Sequence, residues 1–314
     1  MKHFLSISDA TPAELRRVFD TSFKMRQQRR DGQRNDPVLA GKSLSMIFEK
    51  PSLRTRASFE QAVVELGGHA MSLQGAEIGL GKRETAADVA RVLSGMVQGI
   101  AARVFEHKKL FDLAQHATVP VVNLLSDQSH PCQALADAMT IMDEFGSDVS
   151  TRTVAFVGDG NNVARSMLEV CAMTGMAFVL ACPPGFELDE GFLQQLQART
   201  PGLDARTTHD ALAAVSDADV IYTDTWISMG QEDESERRRA AFSKFQVNAQ
   251  LLSEAPPHAI VLHCLPAYRD VEITDDVIEG PRSRVFPQAH NRLHAQKGLL
   301  AVLLGDGPGP GPAA

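Results

Sequence analysis

From residue 43 almost to the end of the chain, short apolar and β-branched runs alternate with segments whose apolar positions recur every three or four residues. The runs predict strands over residues 43–48, 70–73, 100–104, 119–123, 153–157, 178–182, 220–223 and 260–263. Between them, Phe59, Ala62, Val63 and Leu66 fall on one helical face, and Leu135, Ala138, Met139 and Met142 on another. Such alternation predicts an α/β fold of parallel sheets covered by helices on both faces. A polar break over residues 144–150 separates a long helix from a new strand, giving expected domains of residues 1–147 and 148–304. A last helix is expected over residues 289–304. The Gly-, Pro- and Ala-rich residues 305–314 read as a disordered tail.

Composition refines this picture without altering it. The 314 residues are 44% hydrophobic and 22% charged, enough to bury two cores and unlike a disordered or collagen-like chain. No apolar run nears the ~20 residues that cross a bilayer. The first residues lack the apolar core of a secretory signal, and Asp9 and Glu14 are foreign to a transit peptide. Cys132, Cys171, Cys182 and Cys264 form no CxxC pair, which suits a reducing cytoplasm. A net charge of −8 disfavours generic nucleic-acid binding but leaves room for a local basic pocket.

Five segments carry candidate chemistry. Ser52-Leu53-Arg54-Thr55-Arg56 opens a helix after a strand, so helix-start amides, two hydroxyls and two arginines converge. This is either an oxyanion site or a capped helix with solvated arginines. Ser129-His130-Pro131-Cys132-Gln133 opens another helix, with Pro131 at its first position. His130 and Gln133 there either cap the helix or donate to a ligand carbonyl. Gly158-Asp159-Gly160-Asn161-Asn162 is a glycine-rich turn resembling a dinucleotide fingerprint, but it lacks the third glycine and the later acidic residue. Its asparagines suit a small polar ligand better. Asp224, at a strand end before the only tryptophan, Trp226, could hold an ammonium group. The stretch from Gln231 to Arg239 is too charged to be buried and is either a lid or a surface helix. Finally, Ile260 to Pro266 delivers His263 and Cys264 to a strand end. On a strand their side chains face opposite ways, and no other ligand lies at metal spacing.

Taken in order, these motifs resemble the aspartate/ornithine carbamoyltransferase family, in particular its ornithine-using members. The opening Lys2-His3-Phe4-Leu5 is similar to their usual start, and the resemblance spans about residues 2–304. It implies a first domain for carbamoyl phosphate, a second for the amino acid, and a C-terminal helix joining them by packing back on the first. It further implies that Ser52, Leu53, Arg54 and Thr55 form the phosphate loop, that Arg103 also holds the anion, and that Arg292 is a last contact to carbamoyl phosphate. His130 and Gln133 match groups at the carbamoyl carbonyl. Asn162, Asp224, Ser228 and Met229 match the ornithine contacts. Cys264 and Leu265 match a His-Cys-Leu-Pro segment that touches carbamoyl phosphate and sets its cysteine near the reacting amine. Cys264, Arg103 and His130 are the implied catalytic groups, in a homotrimer or a multiple of one.

Two positions depart from the family pattern. Leu53 replaces a threonine of the phosphate loop, which removes a hydroxyl and keeps the amide. Gly79 stands where many relatives have a glutamine, in a loop implied to reach a neighbouring subunit. The implied reaction is attack of a neutral δ-amine on carbamoyl phosphate, which calls for no metal or organic cofactor. An aspartate-specific enzyme would need basic groups for a second carboxylate. N-acetylornithine and putrescine are nearer rivals. A nicotinamide-dependent oxidoreductase rests on the glycine turn alone, and a non-catalytic paralogue would have no use for Arg54, Arg103 and His130.

Overall fold

The computed structural model describes residues 1–227 and 232–305. Ser228, Met229 and all but the first residue of the expected tail therefore lie outside the described residues. The chain forms two compact units. One comprises Met1–Ala136 with the chain from His290 onward, and the other Asp137–Ala289. The divisions fall inside two helices, Pro131–Phe145 and Val285–Leu300.

In the first unit, β1 (Ser43–Phe48), β2 (His69–Gln74), β3 (Gly99–Arg103) and β4 (Val121–Leu125) form a sheet in the order β2-β1-β3-β4, every pair parallel. In the second, β5 (Thr153–Val157), β6 (Ala177–Ala181), β7 (Ala205–Thr208), β8 (Val220–Thr223) and β9 (Ile260–His263) are also all parallel, in the order β7-β6-β5-β8-β9. Each expected strand is present, most within a residue or two of its expected limits. β7 is the one the hydrophobic pattern missed. Its Ala-Arg-Thr-Thr sequence has no apolar run, because an edge strand with exposed side chains needs only the backbone ladder to β6.

Each sheet has its own core. Ile47, Val89, Ile100, Leu110 and Val121 pack in the first unit, and Val157, Ile221, Phe242, Val261 and Ile278 in the second. The charged stretch ending at Arg239 corrects its sequence reading. Arg238 is buried, with its guanidinium 2.8 Å from Asp159 and 3.0 Å from the Trp226 carbonyl. Four residues on, Phe242 is fully buried, so this short helix has an inner face.

The last helix begins at Val285, earlier than expected, and ends in a π-helical turn over Ala301–Gly305. Its later part is anchored in the first unit by Lys297, fully buried, which donates to Asn35 at 2.7 Å and Glu65 at 2.8 Å. One turn of this helix approaches the Pro12–Arg30 helix so closely that a Cβ on Gly298 would lie 2.5 Å from the Val18 carbonyl oxygen and 2.0 Å from the Ser22 hydroxyl. Gly298→Ala should therefore destabilise the protein by about 1–3 kcal/mol through overpacking. Urea unfolding checks this, and a variant as stable as the parent would refute so close an approach.

Candidate functional site

In a parallel sheet, ligands gather at the carboxyl ends of strands where the chain order reverses. In the first unit that point lies between β1 and β3. Ser52 follows β1 and caps the Leu53–Glu65 helix, accepting from the Thr55 amide at 3.3 Å. Arg103 is the last residue of β3 and is buried. Glu49 ties the two strand ends together. Its amide donates to the Arg103 carbonyl at 2.9 Å, and its carboxylate accepts from the Phe105 amide at 2.9 Å and Lys109 at 2.7 Å.

Arg292, 1% exposed on the last helix, donates to the Thr55 hydroxyl at 3.0 Å and to the Gln133 side-chain oxygen. It thereby joins the mouths of the two helices that the sequence singled out. His130, just before Pro131, is 7% exposed. Burial first, then the charges of Arg292, Arg103 and Arg54, hold its imidazole well below its ordinary pKa, so the ring is neutral at pH 7. A neutral ring can donate one hydrogen bond without adding charge.

The loop carrying His130 rests on a buried polar knot. Asn123 donates to the Leu5 carbonyl at 2.8 Å and the Ser129 carbonyl at 3.2 Å, and Ser126 accepts from the Ser129 amide at 3.2 Å. Cys132 donates its thiol to the Asn123 carbonyl at 3.3 Å, and burial pushes its pKa up to about 12, which suits a structural thiol. Of the two arginines after Ser52, Arg54 is half-buried, whereas exposed Arg56 pairs with Glu60 at 2.8 Å on the helix surface. Leu53 is 79% exposed. Gly79 adopts φ +66° as a helix C-cap, where a Cβ would lie 2.7 Å from the Arg83 Cβ. The local turn thus accounts for its glycine.

In the second unit the order reverses between β5 and β8. Asn161, after β5, caps the Asn162–Thr174 helix by accepting from the Val163 and Ala164 amides. Its amide nitrogen reaches across to Asp224, after β8, at 2.9 Å. The other Asp224 oxygen accepts from the Cys264 thiol at 3.0 Å. Asn162, the asparagine singled out from the sequence, is half-buried at the first helical position, while Asn161 makes the bridge. An N-cap asparagine before a helix was the available signal.

His263 occupies a different place from its neighbour. It is fully enclosed, with Nδ1 accepting from the Leu265 amide at 2.9 Å and Nε2 donating to buried Glu272 at 3.1 Å. Leu265 sits at φ +57°, a costly conformation for leucine that this bond supports. Glu272, unrecognised in the sequence, sets the His263 tautomer; no short-range pattern links the two. The expectation that His263 and Cys264 lack a nearby ligand partner is also corrected, since folding brings Asp224 to them, with donor atoms within 4.8 Å. Both ring nitrogens of His263 are nonetheless engaged.

The glycine turn is filled by the chain itself. Gly160 donates to the Phe186 carbonyl at 2.9 Å, and a Cβ there would lie 2.6 Å from the Glu187 carbonyl carbon. The close approach that the turn permits is thus to backbone, where a dinucleotide fingerprint would admit a pyrophosphate.

These features define a two-unit parallel α/β protein with a cationic, donor-rich rim on one sheet and an acid–thiol rim on the other. Residues 2–143 match the carbamoyl-phosphate-binding domain of aspartate/ornithine carbamoyltransferases, and residues 150–303 match the aspartate/ornithine-binding domain. The chain belongs to the aspartate/ornithine carbamoyltransferase family. An ornithine carbamoyltransferase from Pyrococcus abyssi is 49% identical over 306 residues, covering 97% of this chain and 96% of its own. The anabolic ornithine carbamoyltransferase of Pyrococcus furiosus is 48% identical, with 97% and 96% covered. The solved structure of the P. furiosus ornithine carbamoyltransferase superposes with a TM-score of 0.93 at 48% identity, covering 98% of each chain.

His130 should stay neutral as the pH falls through its ordinary pKa of 6.5, checked by NMR of the imidazole nitrogens; a midpoint at or above that value would refute its burial beside the three arginines. The unfolded chain binds this proton at about 6.5 and the folded chain does not, so stability must fall as the pH drops below that point. His294, pushed down to about 3 mainly by burial, acts with the same sign between 6.5 and 3.

Proposed function

We propose that this chain transfers the carbamoyl group of carbamoyl phosphate to the δ-amine of L-ornithine, giving L-citrulline and phosphate. The observation that carries the proposal is the Thr55–Arg292–Gln133 network beside a neutral His130, in a chain about half identical to ornithine carbamoyltransferases over nearly its whole length. Carbamoyl phosphate binds on the first unit, its phosphate against the amides after Ser52 and Leu53 and against Arg54, Arg103 and Arg292. Leu53 contributes its amide and no hydroxyl. Thr55, Arg103 and His130 donate to the carbamoyl oxygen as charge builds there, and Gln133 orients the carbamoyl amide.

Ornithine binds through Asn162, Asp224, Ser228 and Met229. Asp224 and Cys264 orient the δ-amine, the Asp224 carboxylate takes the proton it loses, and Leu265 follows in the same segment. The new C–N bond forms as the C–O bond to phosphate breaks, and the departing anion is met by guanidinium charge. His263 and Glu272 act at one remove, fixing the turn that presents Cys264. The work of the site is orientation and charge stabilisation, with neither metal nor organic cofactor. The relative's designation as anabolic supports a place in arginine biosynthesis. Four free cysteines support a reducing cytoplasm, and no helix among the described residues is long and apolar enough to cross a membrane.

A homotrimer is supported by where apolar side chains are exposed. Leu53, Val64, Met71, Val92, Met96, Phe105 and Phe111 lie on the first unit, against Leu212, Tyr268 and Phe286 on the second. Sedimentation equilibrium should return the mass of three chains or a multiple; a monomer would overturn the assembly while leaving the chemistry standing.

The function is tested by citrulline formation with ornithine, N-acetylornithine, putrescine or aspartate supplied separately, with product from ornithine alone expected. Arg54→Ala should lower the rate by at least ~10²-fold. The rate should rise with pH as bound ornithine loses its ammonium proton. Carbamoylation of another amine, or of none, would overturn the assignment, and a flat pH profile for chemistry would remove the neutral-amine step.

A further inference from the structure

We propose that Cys182, Glu187 and His209 form a binding site for a zinc-class divalent cation, distinct from the Asp224–Cys264 rim. The three offer a sulfur, a carboxylate oxygen and an imidazole nitrogen within 4.8 Å of one another. Cys182 follows β6 and His209 follows β7, and the Cys182 amide donates to the Thr208 carbonyl at 3.1 Å. The sheet ladder therefore sets both donors.

His209 is arranged as a metal-binding histidine usually is. Its Nδ1 donates to the Cys182 carbonyl at 2.8 Å, which leaves the Nε2 lone pair directed outward. That nitrogen lies 3.7 Å from Glu187 Oε1, close to the ~3.3–3.8 Å between neighbouring ligands of a tetrahedral zinc ion. Glu187 is held by the Gly185 amide, which donates to its two oxygens at 3.1 and 2.9 Å. The backbone of Glu187 in turn lies against Gly160, one residue before the asparagine that bridges to Asp224.

A soft sulfur with an imidazole selects zinc, cobalt or a similar ion over calcium and magnesium. Three protein ligands leave one position for water. Burial, then the charges of Glu187 and Asp159, push the Cys182 thiol up to about 12.

The test is a Co²⁺ titration of the full chain carrying Cys264→Ser, which removes the thiol of the other three-donor group. One equivalent of Co²⁺ should bind with a thiolate-to-cobalt absorption band. Adding Cys182→Ser should abolish the band. His209→Ala, which keeps the buried thiol in place, should weaken binding at least ~tenfold. Absence of the band in the Cys264→Ser protein would overturn the site. So would its survival in the double variant, or an affinity unmoved by His209→Ala.

Discussion

The chemistry of the first unit depends on burying the Arg292 guanidinium against neutral oxygens. An arginine keeps its charge at any working pH, so burial is tolerated only where its N–H groups find acceptors. The Thr55 hydroxyl and the Gln133 amide oxygen serve that purpose without cancelling the charge. Burial, reinforced by the charges of Arg292, Arg103 and Arg54, denies His130 a proton. An anion is the natural complement of such a site, since it completes the electrostatics. The polar knot around Asn123 and Ser126 keeps the His130 loop in place, so the donors are aimed before a ligand arrives.

The second unit meets the opposite demand with the same architecture. Its rim presents a buried carboxylate held by an amide and a thiol, Asn161 on one oxygen and Cys264 on the other. Both partners donate, so they fix Asp224 without neutralising it, and a cationic or amine ligand is the natural complement. The support beneath is just as specific. Glu272 fixes the His263 tautomer, and that tautomer accepts the Leu265 amide and holds the turn that carries Cys264. Arg238 holds Asp159 in the glycine turn. In both sheets the chemistry gathers where the strand order reverses, because that is where adjacent crossovers leave room at the strand ends.

Sequence alone was sufficient for the α/β class, eight of the nine strands among the described residues and most of the helix mouths. Buried parallel strands must be apolar along their length, and helix starts need caps or proline, so both leave local marks. For the same reason Ser52, His130, Asp224 and Cys264 stood out at strand ends or helix starts. What left no local mark was decided by tertiary contact. Ala-Arg-Thr-Thr becomes β7 only because β6 offers an edge, and charged Arg238 is buried only because Asp159 waits for it. Arg54 is half-buried while Arg56 pairs with Glu60 on the surface, although the two look equivalent in the chain. Asn161, not its neighbour, reaches Asp224, and His263 turns from Cys264 to Glu272. Periodicity and caps arise from a residue's nearest neighbours in the chain, so a sequence displays them. Charge burial, tautomer and hydrogen-bond partner depend on atoms that only folding brings within hydrogen-bond reach, and there the structure had the last word.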